Sequence, residues 1–307
     1  MAKKLELPRL YPERLTRVSK AMVDRLNDLN QPVISAYQFF IELRAMYHSG
    51  QKLYLRSSDP TVENFSHIKQ NIRKSGYIDK DPDYNYRAIR ILSAQDLPAE
   101  DICCLVDPYC YVSHYSAMQR YSLTNRNPKN LHLTVPSIPL QRQMHKEAMQ
   151  RDYGEGLPLP ELYIMEQQGI NHPAKVRNRP VQVFHCSKPA TPTRIRGTKA
   201  RISPVGRTFV DMLSDPNLCG GMKHVLKVWK DHAKKYLDEI LPELENAPKT
   251  IIKARGGYIL DEYIGLKDSR IHNLQKFAQR GGSRLLDPSQ PYKPEFSEKW
   301  MISLNVE

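Results

Sequence analysis

The sequence predicts an α+β protein with a small N-terminal domain at residues 1–95 and a larger mixed α/β domain at residues 96–307. Three observations lead to this prediction. Apolar residues recur at helical spacing in three consecutive N-terminal segments, two short alternating segments follow them, and helix-like and strand-like segments are mixed beyond residue 96. With 307 residues, the chain is long enough for about two domains, each with a hydrophobic core.

Three N-terminal helices are predicted at Glu13–Leu29, Ile34–Tyr47 and Pro60–Ser75, where apolar side chains repeat every three or four residues. Ser35 is the expected N-cap of the second helix, because a serine side chain accepts a hydrogen bond from a first-turn amide. Asp59 is the expected N-cap of the third helix for the same reason. The N-terminal domain therefore begins with three consecutive helices.

A β-hairpin is predicted directly after the third helix. Gly76 ends that helix, since glycine readily adopts the left-handed conformation just beyond a helix terminus. The segments Tyr77–Asp81 and Tyr86–Leu92 then indicate two strands around a turn rich in Asp, Pro and Asn. Three helices and a hairpin form the element order of a winged helix-turn-helix, in which the third helix enters the DNA major groove and the hairpin lies on the backbone.

The third helix has a core stripe of Phe65, Ile68 and Ile72 and an opposite face that we expect to be polar and free of acids. Amide side chains can bond adenine edges, and Lys or Arg can reach guanine or phosphate. The alternative interpretation is an ordinary solvated helix face. The predicted DNA-binding residues are Ser66, His67, Gln70, Asn71, Arg73 and Lys74 of the helix and Arg87 of the hairpin.

The net charge of +13 indicates a polyanionic partner, with nucleic acid first and an anionic membrane second. Residues 1–95 carry 16 Lys and Arg against 10 Asp and Glu, and residues 140–207 carry 12 against 5. Within the second region, His172–Arg207 contains no acid, so it is either a nucleic-acid patch or a solvated basic loop. The candidate phosphate or nucleic-acid contacts are Lys175, Arg177, Arg179, Arg194, Arg196, Lys199 and Arg201.

The sequence indicates the cellular compartment and argues against several classes of enzyme. Five cysteines without a CxxC pair indicate reduced thiols, and the N-terminus resembles no signal peptide, so we expect a cytoplasmic protein that is not embedded in a membrane. Zinc-protease, nucleotide-binding and serine-hydrolase motifs are absent, and no lysine follows an acid at the spacing typical of restriction-type nucleases. We therefore expect no enzyme activity, metal or cofactor; a nuclease or another nucleic-acid-processing enzyme of a defence system is the alternative.

The second domain is predicted to begin with helices at Leu97–Val106 and Tyr111–Thr124 and a strand at Asn130–Pro136. The segment "YVSHYSAMQRYSLTNRNP" resembles the stretch that follows the DNA-binding domain in AbiE-type antitoxins. The similarity continues in "RISPVGRTFVDMLSDPNLCGGMKHV" (Arg201–Val225), "ARGGYILDEYIGL" (Ala254–Leu266) and "GGSRLLDP" (Gly281–Pro288), and it covers residues 13–290.

The resemblance implies the regulator half of a type IV toxin–antitoxin phage-defence module. Such a protein would repress its own operon by binding double-stranded operator DNA. Its C-terminal domain would counter a nucleotidyltransferase-like toxin in abortive infection, without forming a stable complex with it. Residues 138–180 depart from the family pattern, and we expect them to be an irregular insertion in the second domain.

The family-like segments also have structural interpretations. Arg207 and Asp211 are four residues apart, the spacing of an ion pair on one helix. Gly220-Gly221 resembles an anion-binding helix start, but it fits a tight turn better. Ala254–Leu266 fits an amphipathic helix. These residues therefore predict how the domain is held together and do not identify a reaction.

Overall fold

The computed structural model describes residues 15–154, 159–279 and 284–306. The start of the first predicted helix and the paired glycines of "GGSRLLDP" lie outside these described residues. The chain forms two compact units, each built from two stretches: Met1–Tyr109 with Ser137–Asn178 (unit 1), and Cys110–Pro136 with Arg179–Glu307 (unit 2). Helices and strands occur in both units, which confirms the predicted α+β class.

The helices and strands are numbered along the chain. The helices are α1 (Arg17–Asp28), α2 (Ala36–Tyr47), α3 (Val62–Lys74), α4 (Ala99–Val106), α5 (His114–Arg120), α6 (Ile138–Tyr153), α7 (Val205–Ser214), α8 (Met222–His232), α9 (Leu237–Asn246), α10 (Thr250–Tyr258) and α11 (Ser269–His272). The strands are β1 (Val33–Ser35), β2 (Ile78–Asp81), β3 (Asn85–Ile91), β4 (Tyr111–Val112), β5 (Leu131–Pro136), β6 (Lys175–Val176), β7 (Arg179–Cys186), β8 (Thr193–Arg194), β9 (Arg201–Ile202), β10 (Phe296–Ser297) and β11 (Ile302–Ser303).

Unit 1 contains the three predicted helices and the predicted hairpin in the expected order. Strand β3 lies between β1 and β2 in an antiparallel sheet. The aromatic ring of Phe65 on α3 packs edge-on against Phe39 and Phe40 of α2, at centroid distances of 5.4 and 6.0 Å. Burial of these rings and of Ile72 ties the third helix to the second.

The helix termini confirm one predicted cap and correct the other. The Ser35 hydroxyl accepts the Gln38 amide of α2, and the Gln38 side chain accepts the Ser35 amide in return. The expected cap at Asp59 is wrong, because Thr61 and Asn64 form the same reciprocal pair at the start of α3. The Asp59 carboxylate instead accepts from Arg44 at 3.0 Å.

The segment 138–180, which we expected to be an irregular insertion in the second domain, differs in structure and in placement. It begins with the sixteen-residue helix α6, and it belongs to unit 1 up to Asn178. The Tyr37 hydroxyl donates to Asp152 at 2.7 Å, and Arg44 donates to the Asp152 carbonyl at 2.9 Å. Of the α6 side chains, only Ala148 and Tyr153 are buried, so the sequence carries little of the apolar periodicity that predicts a helix.

Unit 2 is built on a sheet with the strand order β7-β5-β4-β9-β8. All six residues of β5 are buried, and β7 pairs with it in parallel. Helices α7 to α10 provide most of the hydrophobic core, in which Phe209 packs edge-on against Trp229 at 5.2 Å. Both tryptophans of the chain, Trp229 and Trp300, are fully buried in this unit.

Close packing explains two glycines of the family-like segments. A Cβ atom at Gly206 would lie 1.9 Å from the Glu239 carbonyl oxygen, and one at Gly257 would lie 2.0 Å from the Trp300 ring. The segment Ala254–Leu266 does not form one amphipathic helix, because α10 ends at Tyr258 and is followed by a π-helical turn, Ile259–Tyr263.

Across the three described ranges, we find no helix with the length and apolar character needed to cross a bilayer.

Candidate nucleic-acid interface

The exposed face of α3 consists of the polar residues that the sequence predicts. Ser66, His67, Gln70, Arg73 and Lys74 are exposed, and Asn71 is half-buried at the edge of this face. Phe65 and Ile72 are buried on the opposite side, with Ile68 packed beside them. The predicted division of the helix into a core stripe and a polar face is therefore confirmed.

Several side chains on this face already have partners. The imidazole of His67 lies 3.6 Å from the Glu63 carboxylate, so the expectation that the face holds no acid is wrong. Arg73 pairs with Asp79 at 2.8 Å, and both side chains are about half exposed. Gln70 is exposed and makes no side-chain hydrogen bond to any described residue. Gln70 is therefore best placed to read a base without first breaking a contact.

The hairpin presents a second polar surface. The Arg87 guanidinium is exposed and donates to the Asn171 carbonyl at 3.4 Å. Sequence reasoning missed two of its neighbours: Tyr86, whose side chain is 79% exposed, and Lys80, whose ammonium lies 6.0 Å from the Tyr86 ring centroid. An aromatic residue beside basic ones in a predicted hairpin is a signal that could have identified this surface.

The acid-free stretch is divided between the two units. Lys175 and Arg177 belong to unit 1, whereas the basic residues from Arg179 onward belong to unit 2. Arg177 has only 13% of its side chain exposed and pairs with Asp81 at 2.7 Å, with Asp83, and with Asp96 at 3.0 Å. The prediction that Arg177 contacts phosphate is therefore wrong, because its guanidinium is already paired with three carboxylates. These carboxylates come from a distant part of the chain, so the local sequence did not reveal them.

The remaining candidates differ in exposure. Lys175, Arg194, Arg196 and Lys199 are exposed, whereas Arg179 and Arg201 are half-buried and Arg201 donates to the Cys110 carbonyl at 3.1 Å. Arg194 lies on β8, at the edge of the unit 2 sheet. The turn that follows contains Gly197 in the left-handed conformation, with φ at 77°. This hairpin therefore displays Arg194 and Arg196 to solvent.

We expect the double substitution of Arg194 and Arg196 by glutamine to weaken operator and random DNA about equally, because phosphate contacts carry no sequence information. If both guanidinium groups contact phosphates, the slope of log K against log salt should fall by about two. Fluorescence anisotropy across a salt series measures both quantities. Changing Lys223 and Lys230 of α8 to glutamine removes the same charge elsewhere on unit 2, and an equal effect there would remove this hairpin from the interface.

Arg207 and Asp211 form a largely buried ion pair in unit 2. The Arg207 guanidinium donates to Asp211 at 2.9 Å, which confirms the predicted ion pair. Burial raises the pKa of Asp211 to about 6, although Arg207 opposes this shift.

The five cysteines form no disulfide, and burial raises the pKa of Cys103 to about 12. Cys103 is therefore a weak nucleophile, since the thiolate is the reactive form.

The chain matches no protein-family model and no curated protein. Among solved structures, it is similar to the RV2827C protein from Mycobacterium tuberculosis, with 11% sequence identity and a TM-score of 0.47. The alignment covers 94% of this chain and 92% of that chain. A similarity at this level supports no argument about function.

Proposed function

We propose that unit 1 binds double-stranded DNA as a winged helix-turn-helix, with α3 in the major groove and the β2–β3 hairpin on the backbone. One observation carries the proposal: the exposed polar face of α3, centred on Gln70, is followed directly by a hairpin that exposes Tyr86 and Arg87. The chain's net charge of +13 supports a polyanionic partner.

The side chains suggest separate roles in base recognition and in phosphate binding. The Gln70 amide offers the donor and acceptor pair that matches an adenine edge. Lys74, at the C-terminal end of α3, and Arg87, on the hairpin, supply positive charge that suits phosphates. Arg73 is already paired with Asp79, so it has to exchange that partner before it contacts DNA.

We further propose that the protein is the antitoxin and autorepressor of a type IV toxin–antitoxin system and that it acts in the cytoplasm. The support is the resemblance of four ordered sequence segments to AbiE-type antitoxins. Unit 2, which contains all four of these segments, would carry the antitoxin activity against a nucleotidyltransferase-like toxin. The close packing at Gly206 and Gly257 agrees with a structural role for those segments.

The purified protein should footprint the promoter of its own operon, and alanine at Gln70 or Lys74 should weaken that binding. Loss of a base contact at Gln70 should cost about 1–3 kcal/mol and relax specificity at one position. Loss of a phosphate contact at Lys74 should lower the salt slope by about one. Anisotropy with operator variants measures both effects.

Lys20→Ala on α1 provides a matched control, because Lys20 is exposed on a helix that the proposal keeps away from the groove. Unchanged operator binding in the Gln70 and Lys74 variants would remove α3 from the interface. Metal-dependent cleavage of plasmid DNA by the purified protein would favour the nuclease alternative instead. Protection from the toxin is measured separately, by co-expression in cells.

A further inference from the structure

The segment between α2 and α3 presents basic and aromatic side chains to solvent. Lys52, Tyr54 and Arg56 are exposed. Leu53 and Leu55, which alternate with them, are half-buried. One side of the segment therefore faces the protein, and the other side faces solvent. We call the three exposed residues the 52–56 surface.

The inner side of this segment is anchored to unit 1. Leu53 packs against the hydrophobic core of that unit, and the Ser57 hydroxyl donates to the Asp59 carbonyl at 2.7 Å. The Asp59 carboxylate is already engaged, because it accepts from Arg44 at 3.0 Å and lies 2.9 Å from His48. Residues 48–58 themselves contain no Asp or Glu. The 52–56 surface is therefore held in place without an acid of its own.

The charges of the 52–56 surface have one sign. Neither Lys52 nor Arg56 forms an ion pair with any residue that the structure describes. Tyr54, between them, is 76% exposed, and the Arg17 guanidinium lies 4.5 Å from its ring centroid. Cations gathered in this way repel one another unless an anion screens them. The surface and Arg17 therefore offer three cations and an exposed phenol to an anionic partner.

The backbone at Tyr54 is strained. Its φ of 54° lies in the left-handed region, which glycine enters freely and which costs energy for a residue with a side chain. Because most of the ring is exposed, burial of the ring does not offset this cost. A large aromatic residue that is strained and mostly in solvent indicates a function for its side chain.

The start of α1 connects this surface to the polar face of α3. The Thr16 amide donates to the Asn71 side-chain oxygen at 3.5 Å, and the next residue, Arg17, lies over the Tyr54 ring. Neighbouring Cα atoms are about 3.8 Å apart, so Tyr54 lies near Asn71, well within one turn of DNA, roughly 34 Å. The 52–56 surface therefore flanks the α3 face.

We propose that the 52–56 surface binds the phosphate backbone of duplex DNA beside the groove that α3 enters. Lys52 and Arg56 contact phosphates, and the Tyr54 hydroxyl donates to a phosphate oxygen. Arg17 positions the Tyr54 ring. The inference rests on the proposed function and adds a contact outside the helix and the hairpin. Because phosphate contacts carry no sequence information, this surface strengthens binding to every sequence equally.

Fluorescence anisotropy of the full-length protein tests the charges, with the promoter of its own operon and a mixed-sequence duplex as probes. Lys52→Gln combined with Arg56→Gln should weaken binding to both duplexes by about tenfold and lower the salt slope by about two. Arg142→Gln combined with Lys146→Gln removes two exposed charges from α6 of the same unit and should have little effect. Equal losses in the two double variants, or no loss in the first, would overturn the proposal.

Tyr54 is tested by a pair of substitutions. Tyr54→Phe removes a hydrogen-bond donor and no charge, so it should weaken duplex binding by about three- to tenfold with an unchanged salt slope. Tyr54→Gly should weaken binding at least as much. It should leave the amide-exchange protection of α1 and α3 intact, because glycine adopts the left-handed conformation without strain. Wild-type affinity in both variants would overturn the Tyr54 contact.

The helix variants separate this inference from the proposed function. If Gln70→Ala weakens operator binding and the Lys52 and Arg56 double variant does not, this inference fails and the proposed function stands. If only the double variant weakens binding, α3 is not in the interface and the 52–56 surface remains a DNA contact. A loss confined to single-stranded oligonucleotides would make the surface a stacking platform and would overturn the duplex proposal.

Discussion

Replacing Arg177 with alanine should destabilise unit 1 by about 3–5 kcal/mol, the usual consequence of removing one partner from a buried ion pair. Asp81 is fully buried and accepts the backbone amides of Asp83 and Tyr84 at 3.0 and 3.1 Å. Arg177 supplies the cation beside it, with 2.7 Å between Nη2 and the Asp81 carboxylate. Without that cation, the buried Asp81 carboxylate has no charged partner among these contacts.

The charge on Arg177 is well supported. Although burial disfavours the charged guanidinium, hydrogen bonds to Asp81 and Asp83 raise the pKa of Arg177. Asp83 lies in the turn between β2 and β3, and Asp96 lies beyond the hairpin. Arg177 therefore connects the hairpin turn to a later segment of the chain. Its loss should also weaken any DNA contact made by Arg87.

Amide hydrogen exchange of β2 and β3 measures the loss, because protection of these strands reports the opening of unit 1. Tryptophan fluorescence gives an internal control, since both tryptophans lie in unit 2. Arg194→Ala makes the same change at an exposed site and should cost less than about 0.5 kcal/mol. Asp81→Asn in the Arg177→Ala background should recover stability, because it removes the buried charge and keeps an acceptor for the two amides. Unchanged exchange in Arg177→Ala would contradict the assigned role.

Protonation of His114 should destabilise unit 2 as the pH falls from about 6.5 to about 4. Its side chain is 2% exposed, and burial lowers the pKa of His114 to about 4. The unfolded chain, with a pKa near 6.5 for histidine, binds a proton more readily than the folded chain in this window. The contribution of neutral His114 to the stability of unit 2 is therefore fully present above the unfolded pKa and is lost as the pH falls towards the folded pKa. At pH 4.5 the loss from His114 is roughly 2–3 kcal/mol.

The contacts of His114 explain why it stays neutral. Its Nδ1 lies 2.8 Å from the Ser113 hydroxyl, which also accepts a hydrogen bond from the Thr134 hydroxyl at 2.8 Å. Its Nε2 is buried without a hydrogen-bond partner among the described residues. Burial also lowers the pKa of His132 to about 4, so His132 should add to the acid sensitivity.

Urea unfolding followed by tryptophan fluorescence at pH 7.5 and 4.5 measures this effect in unit 2. His114→Asn should show the smaller difference between the two pH values, because asparagine tolerates the positive φ of 49° and does not titrate. His185→Asn provides the exposed control on the same unit. An equal pH dependence in wild type and His114→Asn would contradict the prediction.

Much of unit 1 could be predicted from the sequence because its signals are local. The apolar stripe of α3 follows from helical geometry, and the Ser35 cap and the Gly76 terminus depend on neighbouring residues. The error at Asp59 was also local, since a second candidate cap two residues later formed the better reciprocal pair. Helix α6 was missed because few of its side chains are buried, so its periodicity is weak.

The sequence by itself determined the α+β class, the order of three helices and a hairpin, the polar face of α3 and the Arg207–Asp211 pair, because each depends on residues a few positions apart. Only the tertiary structure decided that Arg177 is paired, that α6 belongs to unit 1 and that Arg87 borders a cavity. Arg177 and Asp81 are 96 residues apart, and no local pattern indicates which carboxylate a cation will meet. The energies of ion pairs and cavities depend on distance and burial in space, which the fold alone sets.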